Sequence, residues 1–244
     1  MKFKKIVGFG DSWMHGDELL DPDLVRQFAD AHCCWSQNEQ YRTNHCFLGL
    51  LGKHYGVPVE NFGVPGGSMQ SSMWTFLWWI EHETVPLQDC LILVGHTESD
   101  RLSFYNPDHT HYSNDPPWNK FVHSTWVEHG SSVVSEPFRD MIKRQLVLTN
   151  CKELSKLNYM QTAMFFDGAA ARKNLNMMQF HIMPADVPLD LPTEIWPGFC
   201  TTMWFRDHPD NQRRELIKPG GHPNEKGHEM IRDKLISTID SATM

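Results

Sequence analysis

Ser12 in Gly10-Asp11-Ser12-Trp13 and His222 in Gly220-Gly221-His222-Pro223-Asn224-Glu225-Lys226-Gly227-His228 are side chains of the type that carry acyl transfer. A serine hydroxyl is a weak nucleophile until a neighbouring imidazole takes its proton. His222-Pro223 is a turn dipeptide, which suits an imidazole held on a loop. A third segment, Asn61-Phe62-Gly63-Val64-Pro65-Gly66-Gly67-Ser68, offers glycines whose N–H groups can approach a developing oxyanion with no Cβ in the way. Such donors are worth roughly 3–4 kcal/mol each. A fourth segment, Val94-Gly95-His96-Thr97-Glu98, places polar side chains after another apolar run.

These segments need elements to bring them together. Lys4 to Phe9, Val57 to Phe62 and Cys90 to Val94 are short apolar runs closed by turn residues, and Met160 to Phe166, closed by Asp167-Gly168, is a fourth. Runs of this kind predict buried strands of a parallel sheet. Between them, residues 43–55, Ser68 to His82, Pro137 to Leu157 and Asn224 to Ile239 carry apolar residues at helical spacing. Strands alternating with helices predict an α/β fold whose strand-end turns converge on one sheet edge, where Ser12, Gly66, Thr97 and His222 can meet. Ser99 to Ser135 and Phe180 to Pro219 break the alternation and read as insertions near 99–135 and 180–219 on a single domain spanning 1–244.

In their order, Gly-Asp-Ser near the N-terminus, Asn-x-Gly-x-x-Gly after the second strand and His-Pro-Asn-x-x-Gly before the last helix resemble the SGNH (GDSL-type) hydrolases. The resemblance implies a three-layer αβα, flavodoxin-like fold with a mainly parallel sheet. It implies an ester hydrolase working through an acyl-serine intermediate, with Ser12 as nucleophile and His222 as base. The Ser12 and Gly66 N–H groups, with the side chain of Thr97, would form the oxyanion hole, and no cofactor is needed. Trp13, next to the nucleophile, could line the substrate pocket. Two departures stand out. The family's third block ends Gly-x-Asn-Asp, where this chain has Gly95-His96-Thr97-Glu98, and threonine has only one donor and a shorter reach than asparagine. The family also places an aspartate three residues before the histidine, where this chain has Pro219. Losing the orienting carboxylate of a serine-protease triad costs roughly 10⁴-fold, about 5 kcal/mol. Either a backbone carbonyl replaces it or a carboxylate arrives from elsewhere, with Asp207, in Arg206-Asp207-His208-Pro209, as the candidate.

The 244 residues carry 22 Lys+Arg against 30 Asp+Glu, a net charge of −8, which argues against coating nucleic acid. No apolar stretch is long enough to cross a bilayer, and the charged start Met-Lys-Phe-Lys-Lys lacks a following cleavage site. Six cysteines without a C-x-x-C pair fit a reduced, cytoplasmic chain, with adjacent Cys33 and Cys34 read as small buried hydrophobes. Asp108, His109, His111, His123 and His129 are of metal-ligand type, but their spacing matches no defined zinc motif, and no metal is expected. Trp74, Trp78 and Trp79 read as core. Trp118, Trp126, Trp196 and Trp204 fall in the insertions, as sugar or apolar-substrate contacts or as a satellite core. The expected substrate is a small or carbohydrate-linked acyl ester, such as an acetylated sugar. The rivals are a non-catalytic binding module on the same fold and a metal-dependent hydrolase using the His-rich insertion.

Overall fold

The computed structural model describes residues 3–27, 35–105, 121–128, 135–149, 152–183, 191–196, 200–207 and 213–242. Its strands are β1 (Lys5–Gly10), β2 (Val59–Gly63), β3 (Cys90–His96), β4 (Ser103–Tyr105), β5 (Phe121–His123) and β6 (Asn176–His181). Its helices are α1 (Ser12–His15), α2 (Pro22–Gln27), α3 (Trp35–His45), α4 (Phe47–Tyr55), α5 (Met69–His82), α6 (Ser124–Glu128), α7 (Glu136–Thr149), α8 (Lys152–Lys173), α9 (Thr201–Asp207), α10 (Arg213–Leu216) and α11 (Glu225–Ala242). Strands β2-β1-β3-β6 form one parallel sheet, in register from Ile6↔Val59 and Lys5↔Cys90 to His96↔His181.

Strand residues alternate between two cores, as the pleat requires. Ile6, Leu91, Leu93, Met178 and Phe180 pack with Trp13, Phe47, Leu48, Leu51, Phe205, Ile231 and Leu235 on one face. Val7, Phe9, Ile92, Val94 and Met177 pack with Phe76, Trp79, Tyr159, Ala163 and Phe166 on the other. The layers are therefore α1, α4, α9 and α11, then the sheet, then α5 and α8: the three-layer α/β arrangement expected.

Several expected elements differ. Met160 to Phe166 is not a strand but part of α8, where Tyr159, Ala163, Phe166 and Ala170 are buried at helical spacing while Met164 is 58% exposed. The fourth strand is β6, entered after Asn174 turns the chain through a left-handed conformation (φ 51°). Residues 43–55 do not form one helix, because α3 ends at His45 and α4 restarts at Phe47, whose N–H donates to His228 Nδ1 (3.2 Å). Pro137 to Leu157 is likewise split between α7 and α8. The first insertion contains the antiparallel β4–β5 pair and α6, and the second begins with the end of β6 and contains α9 and α10. Cys33, Cys34, Asp108, His109, His111, Trp118 and His129 lie outside the described residues.

Candidate active site

The first loop is built by local chemistry. Asp11 leaves β1 in extended conformation and its carboxylate accepts from Trp13 N–H (3.0 Å), capping the short α1 that starts at Ser12. Gly16 ends α1 in the left-handed region (φ 81°), its N–H donating to Ser12 O, and Asp17 N–H donates to the same carbonyl. Glu18 follows with a second left-handed residue (φ 64°). Two such residues around Asp17 fold the chain back on α1 and carry both carboxylates toward Ser12.

The last loop meets them. A turn through Lys218 and Gly221 presents His222, and Asn224 starts α11 by accepting from Gly227 N–H (2.9 Å). Gly227 allows the helix to lie against Leu216, whose carbonyl would be 2.5 Å from a Cβ there. His222 Nε2 accepts from the Ser12 hydroxyl at 2.9 Å, and His222 Nδ1–H donates to Glu18 Oε2 at 2.8 Å. Glu18 also accepts from Gly220 N–H (3.0 Å) and His222 N–H (3.3 Å). Serine, histidine and carboxylate thus stand in the hydrogen-bonded series of a catalytic triad, with the ring held in the tautomer whose Nε2 can take the serine proton.

The carboxylate is Glu18, not Asp207. Asp207 is exposed at the end of α9, and Glu18 occupies the Nδ1 side of the ring. The sequence carried one signal for Glu18: an acid six residues after Ser12 in Asp11-Ser12-Trp13-Met14-His15-Gly16-Asp17-Glu18, with glycine placed to turn it back. Gly220 is the other half, since a Cβ there would lie 2.4–2.6 Å from the Glu18 carboxylate.

The second loop is registered against the first. Val64 N–H donates to Gly10 O, and Asn61 Nδ2 donates to Met14 O (2.8 Å) while its Oδ1 accepts from Gly63 N–H (2.9 Å). Gly66 adopts φ 71°, and its carbonyl accepts from Thr125 Oγ1 (3.0 Å), so α6 of the first insertion steadies this loop. Among the described residues the N–H groups of Ser12 and Gly66 donate to no protein acceptor. Ser12 is 5% exposed.

Asp11 is fully buried, and burial pushes its carboxyl up against the pull of Arg101 (3.4 Å from Oδ2), the Trp13 N–H, Thr97 and His222. Thr97 is buried close to that carboxylate with no hydrogen bond of normal length from its hydroxyl. Burial also raises Asp17, whose Oδ2 lies 3.9 Å from His222 Nε2, and depresses His15 well below the usual histidine range.

His96 turns away from Ser12, into a buried polar chain on the α8 face. Gln179 Nε2 donates to Ala163 O, so its Oε1 faces His96 Nε2 (2.8 Å). His96 Nδ1 therefore accepts from Tyr159 OH (2.8 Å), and Tyr159 accepts from His181 Nδ1–H (2.9 Å), leaving His181 Nε2 to Glu194 (3.2 Å). Burial pushes His96 down to about 3 and keeps it neutral.

Trp13 is not a substrate contact. It is 1% exposed within the core, its ring 5.7 Å from that of Phe205, so no face is open to a ligand. Trp79 is core as expected, but Trp74 is 47% exposed and shares an apolar surface cavity of about 640 Å³ with Trp78, Tyr105 and Phe121. Trp196 and Trp204 form no separate satellite core but are half-buried against the main one, on Phe180 and Phe205 respectively and beneath Lys234 of α11. Among the described residues no group of three or more histidine, cysteine or acidic side chains is arranged to hold a metal, and no helix is long and apolar enough to cross a membrane.

No protein family and no curated protein matches the chain. Among solved structures, it is similar to a psychrotrophic esterase, EstA, from Pseudoalteromonas sp. (10% identity, 98% of each chain, TM-score 0.49). It is also similar to a member of the lipolytic G-D-S-L family from Veillonella parvula (13% identity, 96% of each chain, TM-score 0.40). A carbohydrate esterase described as having divergent catalytic and non-catalytic binding functions is similar at 13% identity over 98% of this chain and 69% of that one (TM-score 0.45). Likenesses this loose assign neither family nor activity.

Proposed function

We propose that the protein is a serine hydrolase that cleaves an acyl ester through an acyl-serine intermediate. The observation that carries this is the unbroken series Ser12 Oγ, His222 Nε2, His222 Nδ1, Glu18 Oε2, with contacts of 2.9 and 2.8 Å. Ser12 Oγ attacks the carbonyl carbon while His222 Nε2 takes its proton, and Glu18 stabilises the imidazolium that forms. The undonated N–H groups of Ser12 and Gly66 hold the oxyanion. Thr97 is the third donor suggested by the chain's motif order, although its single hydroxyl proton is also drawn to Asp11. His222 then returns the proton to the departing alcohol, and water, deprotonated by the same nitrogen, releases the acid. The aromatics that suggested a sugar are engaged in packing at Trp13, Trp196 and Trp204, so the substrate class is an acyl ester without further restriction to carbohydrate.

The test is labelling with a fluorophosphonate followed by mass spectrometry of the modified peptide. Modification of Ser12 that vanishes in His222→Ala is the expected result. Folded protein that takes no label would overturn the proposal and favour a binding module on the same scaffold.

A further inference from the structure

Glu18 is fully engaged, but its neighbour is not. Asp17 Oδ1 accepts only a long bond from Glu18 N–H (3.3 Å), and Oδ2 points toward His222 Nε2 at 3.9 Å. That nitrogen is the one bonded to Ser12 Oγ, which puts Asp17 Oδ2 within about 7 Å of the reacting oxygen, close enough for a charge to be felt there. Arg42 also attracts Asp17, but its guanidinium is already committed to Glu39 (2.9 Å) and His15 O (2.5 Å). While His222 is neutral, Ser12 therefore sits beside a half-buried carboxylate that no other ion pair among the described residues neutralises.

We propose that Asp17 determines substrate charge, and that the enzyme prefers esters whose alcohol carries a cationic group near the scissile bond. This rests on the assignment of Ser12 and His222 made above. His222 Nε2 hands its proton to the departing alcohol, so a carboxylate flanking that nitrogen lies on the alcohol's side of the reaction. A positive charge a few bonds from the ester oxygen gains attraction there, and a negative one meets repulsion from Asp17 with Glu18 behind it. Asp17 is partly open to solvent, which limits the discrimination to about tenfold rather than several hundredfold.

The test uses substrates of equal shape and different charge. Acetylcholine and 3,3-dimethylbutyl acetate differ only in the quaternary nitrogen. Wild-type kcat/KM is expected to favour acetylcholine about tenfold at low salt, with the ratio shrinking as salt rises and falling to near one in Asp17→Asn. The same comparison is made on Ser12 itself with two phosphorothiolates, one releasing 2-(trimethylammonio)ethanethiol and the other 3,3-dimethylbutanethiol. Ser12 Oγ bonds to phosphorus, the P–S bond breaks, and the thiolate leaves with the proton from His222. Equal rates for the two members of each pair, or a preference unchanged in Asp17→Asn, would overturn the charge preference while leaving the hydrolase assignment standing. Absence of Ser12 modification by either reagent would overturn both.

Discussion

Replacing Glu18 by glutamine isolates the least expected part of the site. The substitution keeps size and an acceptor oxygen but removes the charge that faces the imidazolium. At 2.8 Å, with an effective dielectric of about 40 for a carboxylate that is 30% exposed, the lost attraction is about 3 kcal/mol. That corresponds to a fall in kcat/KM of roughly 150-fold, less than the ~10⁴-fold of a fully buried triad. The assay is hydrolysis of p-nitrophenyl acetate, with circular dichroism to confirm folding. Gly220→Ala offers an independent route to the same loss, because its Cβ would lie 2.4–2.6 Å from the Glu18 carboxylate and displace it. If both act through one contact, the double variant loses little more than either single one. A Glu18→Gln protein within threefold of wild type, or losses that simply multiply in the double variant, would refute Glu18 as the group that holds His222.

Other consequences are checked by separate measurements. Gly63→Ala should cost about 3 kcal/mol in denaturant unfolding and remove activity, because its Cβ would lie 2.3 Å from His15 N and 2.8 Å from Met14 C, where backbone cannot yield. Trp13→Phe should lower stability by about 1–2 kcal/mol through a partial cavity while leaving KM for a small ester unchanged; a raised KM in folded protein would restore Trp13 as a substrate contact. His96 and His228 are each pushed down to about 3 by burial, so the unfolded chain binds protons that the folded one refuses. Their contribution is whole above the unfolded value near 6.5 and is lost as pH falls from there toward 3, at roughly 1.4 kcal/mol per pH unit for each histidine. Urea midpoints at pH 7 and 5 should separate accordingly, and His228→Gln should narrow the gap.

Strands β1 and β3 were legible because each is a short apolar run with glycine at or near its end, and a parallel sheet buries both faces of such runs, whereas the half-buried edge strand β2, Val-Glu-Asn-Phe-Gly, is marked mainly by its closing glycine. Met160 to Phe166 has similar content but is helical: a mostly apolar stretch interrupted only by Gln161 and Thr162 looks alike in a strand and in a long helix until its exposed members, Met160 and Met164, are known. The strand that exists, Asn176–His181, mixes amide and imidazole with methionine because its end feeds the buried chain of His96, Tyr159 and Glu194. Periodicity cannot mark a strand whose polar residues are satisfied by partners far along the chain. Trp13 misled for a related reason: adjacency to Ser12 says nothing about which side of a four-residue helix a ring occupies.

Nothing in the sequence around His222 marks Glu18 as the orienting carboxylate. Hydrogen-bonding to Nδ1 constrains only where an oxygen sits, not which loop supplies it. Here the turn that follows Ser12 does so, using left-handed residues at Gly16 and Glu18 to fold the chain back on α1. The segment Ser12 to Glu18 then fixes both Ser12 Oγ and the carboxylate that anchors His222, and the His222 loop has only to deliver a ring. That frees position 219 for proline and moves the constraint to Gly220, the residue that must have no side chain for the carboxylate to close on the loop. A missing aspartate and a required glycine beside the histidine are thus two consequences of one change in where the carboxylate comes from.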